Sequence, residues 1–347
     1  MAQTTLVHSH WHESIEQQVK TSFFHDQTWL DLIARRYGYT LHLLTTTNSQ
    51  GQITGILPLF FMHSPLTGRR LVSLPFSDFC SLISTDEAST NDLVDQAIAL
   101  AKKRNVRYLE LRSGSNATLA QRSDLVASNL YVRWLLPLTS DPDALWAGLR
   151  KPVQRQIKKA QNQDIQVRNA QQRTDMQLYY QLHLKTRSKH GMPAQSLSFF
   201  YDLWDTYQSQ EHVQLLLADY QGSTIAGMIL LASGDTVRYA YGASDEQYLN
   251  LAPNNLLLWK AMTWGSTNGY QTLDLGRTAC DNQGLMEFKR RWGATKEELP
   301  YYYYPQMAGL TATSENSTKY QLMTSWWKRL PLQIAGPLGG YLYKHLG

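Results

Sequence analysis

Two stretches of this 347-residue chain repeat each other, and that repetition limits the folds open to it more than any other feature. GQITGILPLF at 51–60 is echoed by GSTIAGMILL at 222–231, and ALAKKRNVRYLELRSG at 99–114 by AMTWGSTNGYQTLDLGRT at 261–278. In the second pair, a stretch of helical period leads into an apolar strand that ends in an acidic residue, a leucine and an arginine. An echo in both a strand and a helix–strand passage predicts internal duplication of one α/β unit. The length suits two halves. With 43% apolar and 18% charged residues, the chain can bury a sizeable core and is not of the disordered class.

The second half is the more regular. Asp141-Pro142 starts a short helix through Leu149. Pro152, tolerated in a first turn, starts another that sets Val153, Ile157 and Ala160 on one side. IQVRNA (165–170) alternates as a strand does, and Thr174 with Gln177 predicts a capping box for a helix to about Lys189. Gly191-Met192-Pro193 breaks that helix, and Ser196 caps the next. HVQLLLADY, TIAGMILLAS and TVRYAYGAS read as strands joined by tight turns. A helix from Pro253, the strand QTLDLG, the helix GLMEFKRRW and the strand ELPYYYY follow. The first half reads as a helix near 27–37, strands at TLHLLTTT, ITGILPLFF, RRLVSLP and CSLIS, a helix near 91–104 and the strand VRYLELR. The linker is expected at 137–152.

Several function classes lack support. There is no Gly-x-Ser-x-Gly, Gly-x-Gly-x-x-Gly or phosphate-loop lysine motif for a serine hydrolase, dinucleotide enzyme or nucleotide triphosphatase. Cys80 and Cys280 form no metal or redox spacing and read as buried thiols, and His8, His10 and His12 fit no standard metal site. No apolar run approaches the roughly 20 residues that span a bilayer, and the N-terminus lacks the pattern of a secretory signal. A cytoplasmic protein without a metal is expected. Seven basic residues against the single Asp164 between Arg150 and Arg173 point to an anionic partner.

A set of short motifs in fixed order carries a family resemblance. They are Arg155-Gln156-Ile157-Lys158-Lys159-Ala160, Gly191-Met192-Pro193 before Phe199-Phe200, and Tyr241-Gly242-Ala243-Ser244. Pro253-Asn254, Asp274-Leu275-Gly276-Arg277, and Phe288-Lys289 with Trp292-Gly293 complete the set. With the element order of 165–305, they resemble the FemAB-like branch of the GNAT acyltransferase superfamily, and in particular FemAB-related proteins of bacterial exopolysaccharide and exosortase systems. The resemblance implies an α/β fold of tandem GNAT-like halves, with mixed sheets flanked by helices. It places an N-terminal half at 1–140, the acyltransferase half at 141–305 and a tail at 306–347.

It also implies an activity: moving an acyl or aminoacyl group to an amine of a cell-envelope or exopolysaccharide precursor. A peptidoglycan-bridge-type transferase using aminoacyl-tRNA, or a non-catalytic glycan-precursor binding protein, are the alternatives. Lys289 is the expected oxyanion stabiliser and Asp78 the expected base. Arg155, Lys159, Tyr241, Asp274 and Arg277 are expected to bind substrate, and Asn254 and Asn255, at a helix start, to bind the donor. Glu110 and Arg112 repeat the Asp274/Arg277 pattern and are expected to be structural. Acyl-CoA enzymes of the superfamily carry a glycine-rich loop where this chain reads Leu249-Asn250-Leu251-Ala252-Pro253-Asn254, so acyl-CoA is a weakly supported donor. No coiled-coil insertion of the kind associated with tRNA is present. The expected partners are an anionic small molecule or lipid-linked acceptor, with tRNA and peripheral membrane contact through SWWKRLPLQIAGPLGGYLYKHL as further expectations.

Overall fold

The computed structural model describes residues 11–210, 212–305 and 324–345. They fall into two compact units. The first holds the chain up to Val132 together with Glu298 and the strand after it. The second runs from Arg133 to Glu297 and takes in the C-terminal helix Leu332–Tyr343.

In the first unit, helices α1 (Glu13–Thr21) and α2 (Gln27–Tyr37) precede strands β1 (Thr40–Thr47), β2 (Ile53–Ser64), β3 (Gly68–Val72) and β4 (Ile83–Ser84). Helix α3 (Glu87–Lys103) leads to β5 (Tyr108–Leu111), followed by α4 (Ala117–Gln121) and β6 (Val126–Ser128). Asp26 and Asp86 cap α2 and α3 by accepting from Trp29 N and Ser89 N. β1, β2 and β3 pair antiparallel in turn, and β3 runs parallel to β5. The core lies between this sheet and α3, where Leu93, Val94 and Ala97 meet Leu57, Leu59, Leu71 and Leu109.

The second unit repeats that plan. Strand β7 (Tyr131–Pro137), which opens it, is followed by α5 (Pro142–Gly148), α6 (Lys151–Gln161), β8 (Gln166–Asn169), α7 (Asp175–Lys189) and α8 (Leu197–Tyr207). Then come β9 (Val213–Tyr220), β10 (Ser223–Ser233), β11 (Thr236–Ser244), α9 (Pro253–Thr267), β12 (Thr272–Ala279), α10 (Gln283–Arg291) and β13 (Thr295–Glu298). β8 to β11 pair antiparallel in turn, and β11 runs parallel to β12, reached through α9. Helix α7 packs against β10 and β11, and α9 packs along β8 to β12 with α5 and α6 resting on it.

The sequence echo therefore has a structural meaning. GQITGILPLF and GSTIAGMILL give β2 and β10, the central members of equivalent hairpins, and the second echo gives α3–β5 and α9–β12. The fold class expected from the sequence, mixed sheets flanked by helices, is borne out.

The boundaries differ from those expected. Strand β14 (Tyr301–Tyr304) lies in the first sheet, antiparallel to both β5 and β6, while β7 lies beside β12 in the second. ELPYYYY is therefore not one strand but the end of β13 and the whole of β14, divided between two sheets. The stretch 137–152 is not a linker, since α5 is packed on α9 and the division of the chain into units falls after Val132, within β7. Thr174 does not cap α7: its backbone is already helical, and the Asp175 carboxylate instead accepts from Gln171 N and Gln172 N. Cys80 is buried but Cys280 is exposed. His8 and His10 lie outside the described residues, as does the tail between 306 and 323.

Candidate active site

Strands β11 and β12 are hydrogen-bonded only over Thr236–Arg238 and Thr272–Asp274, although both continue further. Two local features end the ladder. Gly276 has φ 75°, a left-handed conformation that a residue with a Cβ adopts only at a cost. Opposite it, the register of β11 with β10 shifts between Tyr239 and Tyr241, leaving Ala240 as the extra residue of a bulge. Past Arg238 and Asp274 the facing edges of the two strands are no longer joined to each other. Tyr239–Ser244 and Leu275–Ala279 flank this fork.

Asp274 sits at the base of the fork, 1% exposed. Its Oδ2 accepts from Arg238 Nη1 at 2.6 Å and from Arg133 Nη2 at 2.8 Å and Nε at 3.1 Å, and its Oδ1 accepts from Gly276 N at 2.8 Å. Burial alone would raise the carboxyl, but the two guanidinium groups and the Gly276 N–H together hold it below the usual carboxylate range. Asp274 is thus an ionised brace joining β7, β11 and β12. The carboxylate expected to bind substrate is buried and accepts from these protein donors. Sequence reading missed Arg133 and Arg238; an arginine inside an otherwise apolar strand is the signal that marks them.

Lys289 is also buried, 6% exposed. Its Nζ donates to Gly276 O and Arg277 O, each at 3.0 Å. Helix α10 folds back along the end of β12, and its lysine anchors the turn that opens the fork. The ammonium expected to stabilise an oxyanion is seated on these two backbone carbonyls. Arg277 is half-buried beside it.

Helix α9 begins at Pro253, as expected, after Ala252 in the left-handed region (φ 59°). Asn254 ties the helix start to the end of β11 through Nδ2 donating to Ser244 Oγ at 3.2 Å, and Asn255 N donates to Ala252 O at 3.1 Å. The preceding residues form a 3-10 helix, Glu246–Leu251. Its amides are used internally: Gln247 N donates to Asp245 Oδ1, Tyr248 N to Asp245 O and Ala252 N to Leu249 O. Lys185 holds the other oxygen of Asp245 and keeps that carboxyl below its usual range.

Beside the fork lies an aromatic cluster. Tyr241, half-buried, stands edge-on to Phe199 and Phe200 at 6.1 and 5.6 Å between centroids. Burial, then the Tyr239 and Tyr241 rings, push the Tyr179 hydroxyl up, and it has no hydrogen-bond partner among the described residues. Burial alone pushes Tyr239 up to about 12. His183, stacked on Tyr179, donates from Nε2 to Gln195 Oε1 at 2.9 Å. Its pKa is lowered to about 3 by burial and the nearby Arg187, against the bond to Gln195.

Arg155 and Lys159 are exposed on α6, whose Val153, Ile157 and Ala160 are buried as expected. Lys158 lies over the Trp146 ring. A cavity of about 390 Å³ lined by Trp134, Met286, Glu287, Arg290 and Lys296 contains none of the expected site residues. In the first unit, Asp78 is half-buried and its backbone carbonyl accepts from the Tyr301 hydroxyl. Arg112 pairs with Glu110 at 2.6 Å and also donates to Leu74 O and Ser77 O, bracing the segment that leads to Asp78.

A parallel pair that forks beside a helix N-terminus, in a mixed sheet covered by helices, defines the class. Residues 147–290 match the family model Acetyltransf_6, described as an acetyltransferase (GNAT) domain, so this stretch is similar to a GNAT domain. Within the superfamily the expected FemAB-like resemblance is borne out. The chain is 30% identical over 113 residues to the lipid II:glycine glycyltransferase of Staphylococcus saprophyticus, covering 30% of this chain and 27% of that protein. It is 30% identical over 84 residues to the Staphylococcus aureus protein of the same name, covering 22% and 20%. The chain thus spans less than a third of the length of these relatives. The crystal structure of FemX superposes with TM-score 0.67 at 16% identity, covering 89% of this chain and 97% of that one. The structure of L-PGS from Bacillus licheniformis gives 0.56 at 11% identity, covering 88% and 97%. At those identities the structural likenesses concern the fold.

Proposed function

We propose that the protein is an N-acyltransferase that moves an aminoacyl group from an activated ester, of which charged tRNA is the biological form, to an amine of a lipid-linked cell-envelope precursor. The hydrogen bonding of 245–252 carries the donor side. The stretch that would cradle a CoA pyrophosphate spends the amides of Gln247, Tyr248 and Ala252 on Asp245 and Leu249, and Pro253 has no N–H to offer. An aminoacyl ester needs no such cradle. The names of the glycyltransferase relatives support the acceptor side, as does the exposed basic face of α6 with Arg155 and Lys159. An exopolysaccharide precursor bearing an amine is the second acceptor class.

In this reading the acceptor amine attacks the ester carbonyl at the fork. Backbone N–H groups on the β11 side of the fork stabilise the tetrahedral oxyanion. The amine proton passes to water, and the ester C–O bond breaks to return a hydroxyl. Asp274 and Lys289 hold the fork open, and Tyr241 and Arg277 flank the reacting groups.

The test supplies radiolabelled glycyl-tRNA, and separately acetyl-CoA, with a lipid-linked muropeptide precursor carrying a free amine. Label should reach the precursor from the ester alone. Transfer from acetyl-CoA at a comparable rate reverses the donor assignment. Precursor binding without transfer from either donor favours a non-catalytic binding protein.

A further inference from the structure

The helix Leu332–Tyr343 is turned the opposite way from an ordinary surface helix. Its small residues Ala335, Gly336 and Gly339 are buried as it packs on α7, while Ile334 and Tyr341 are 53% and 61% exposed, with Pro337 exposed between them. Ile334, Pro337 and Tyr341 are spaced i, i+3, i+7 and so share one face. The close approach enforces this orientation. A Cβ on Gly339 would lie 2.9 Å from Ala194 N, too close to be accommodated, whereas one on Gly336 would make only an ordinary 3.5 Å contact with the Leu184 side chain. Rotating the helix to hide Ile334 and Tyr341 would drive large side chains into that contact. The preceding segment adds Trp326, 56% exposed. Three of the seven exposed large apolar side chains among the described residues thus fall within one short stretch.

The charge of this stretch is one-signed. Residues 324–345 contain Lys328, Arg329 and Lys344 and no acidic residue. Lys328 and Arg329 are exposed, and the Lys344 ammonium lies 4.8 Å from the Tyr341 ring centroid. Outward Trp, Tyr and Ile together with cations match the interface of an anionic bilayer: apolar side chains enter the acyl boundary, aromatic rings sit at headgroup level, and cations meet lipid phosphates. Among the described residues no helix is long and apolar enough to cross a membrane, so the contact is interfacial.

We propose that the outward face of this helix, formed by Ile334, Pro337 and Tyr341, together with Trp326 and the cations Lys328, Arg329 and Lys344 of the same stretch, docks the protein onto anionic lipid bilayers. This does not depend on the acyl-transfer reading. The test is co-sedimentation of the purified full chain with vesicles of phosphatidylglycerol and phosphatidylcholine, against phosphatidylcholine alone. Wild type should partition onto the mixed vesicles, and added salt should weaken it. Ile334→Asp with Tyr341→Ser should reduce partitioning by about tenfold or more, and Lys328→Glu with Arg329→Glu should abolish the preference for phosphatidylglycerol. Because these side chains point outward, unfolding midpoints should stay unchanged. Trp326→Ala, on a separate segment, gives the same readout should a helix variant unfold. Failure of wild type to bind the mixed vesicles, or equal binding by the variants, overturns the proposal. So does a loss of self-association in the variants without any vesicle binding by wild type, which would make the face an interface between copies.

Discussion

Arg238 and Asp274 face each other at the last paired position of β11 and β12, and the guanidinium donates to the carboxylate at 2.6 Å just where the two strands part. Removing the carboxylate leaves two arginines without their shared anion in a buried place. Asp274→Asn should therefore cost about 3–5 kcal/mol of stability. Urea denaturation followed by circular dichroism measures it; a loss below about 1 kcal/mol would show that the brace is weak.

Lys289→Met keeps most of the side-chain volume but strips Gly276 O and Arg277 O of their ammonium donor. Two under-satisfied carbonyls at a buried turn should cost about 1–3 kcal/mol. Arg290→Met, on the exposed side of α10, should change the denaturation midpoint little. Equal effects from both would contradict a seated lysine.

A Cβ on Gly242 would lie 1.8 Å from the Tyr239 hydroxyl oxygen and 2.7 Å from its ring carbon Cζ. Gly242→Ala should thus destabilise by about 1–3 kcal/mol through overpacking. Tyr239→Phe should recover only part of this, since the ring remains, whereas Tyr239→Ala in the same chain should remove the clash. A double-mutant cycle reads the coupling, and additive losses would separate the two residues.

His183 and His25 are both buried, with pKa values lowered to about 3 and about 4 from an ordinary value near 6.5. Burial is the leading cause for each. The unfolded chain takes up a proton near 6.5 that the folded chain refuses, so stability is complete above that pH and falls as the pH drops toward the lowered values. Between about pH 6.5 and 5, before most carboxylates titrate, each histidine should contribute a loss of roughly 2 kcal/mol. His183→Asn should flatten that part of the stability profile; an unchanged slope would mean that the imidazole is already protonated in the folded protein.

The local chemistry of the chain was readable without coordinates. Proline at 253 starts α9, Ser196 caps α8, and Val153, Ile157 and Ala160 form the buried side of α6. Each depends on residues within a few positions of one another: a fixed φ, a side-chain oxygen near a free amide, an apolar period. The echo of β2 in β10 was readable for the same reason, since it is written as residue order.

Tertiary structure alone decided what depends on distant partners. Tyr301–Tyr304 has the composition of a strand for either sheet, and only the edges left beside β5 and β6 assign it to the first. Thr174 met the capping pattern, but its backbone is already helical and its side chain accepts no first-turn amide. From the sequence, Asp274 is expected to bind substrate and Lys289 to stabilise an oxyanion. In the fold, burial makes an unpartnered charge too costly, so each is held by groups that sequence reading did not assign to it: Arg133 and Arg238 for the acid, Gly276 O and Arg277 O for the lysine.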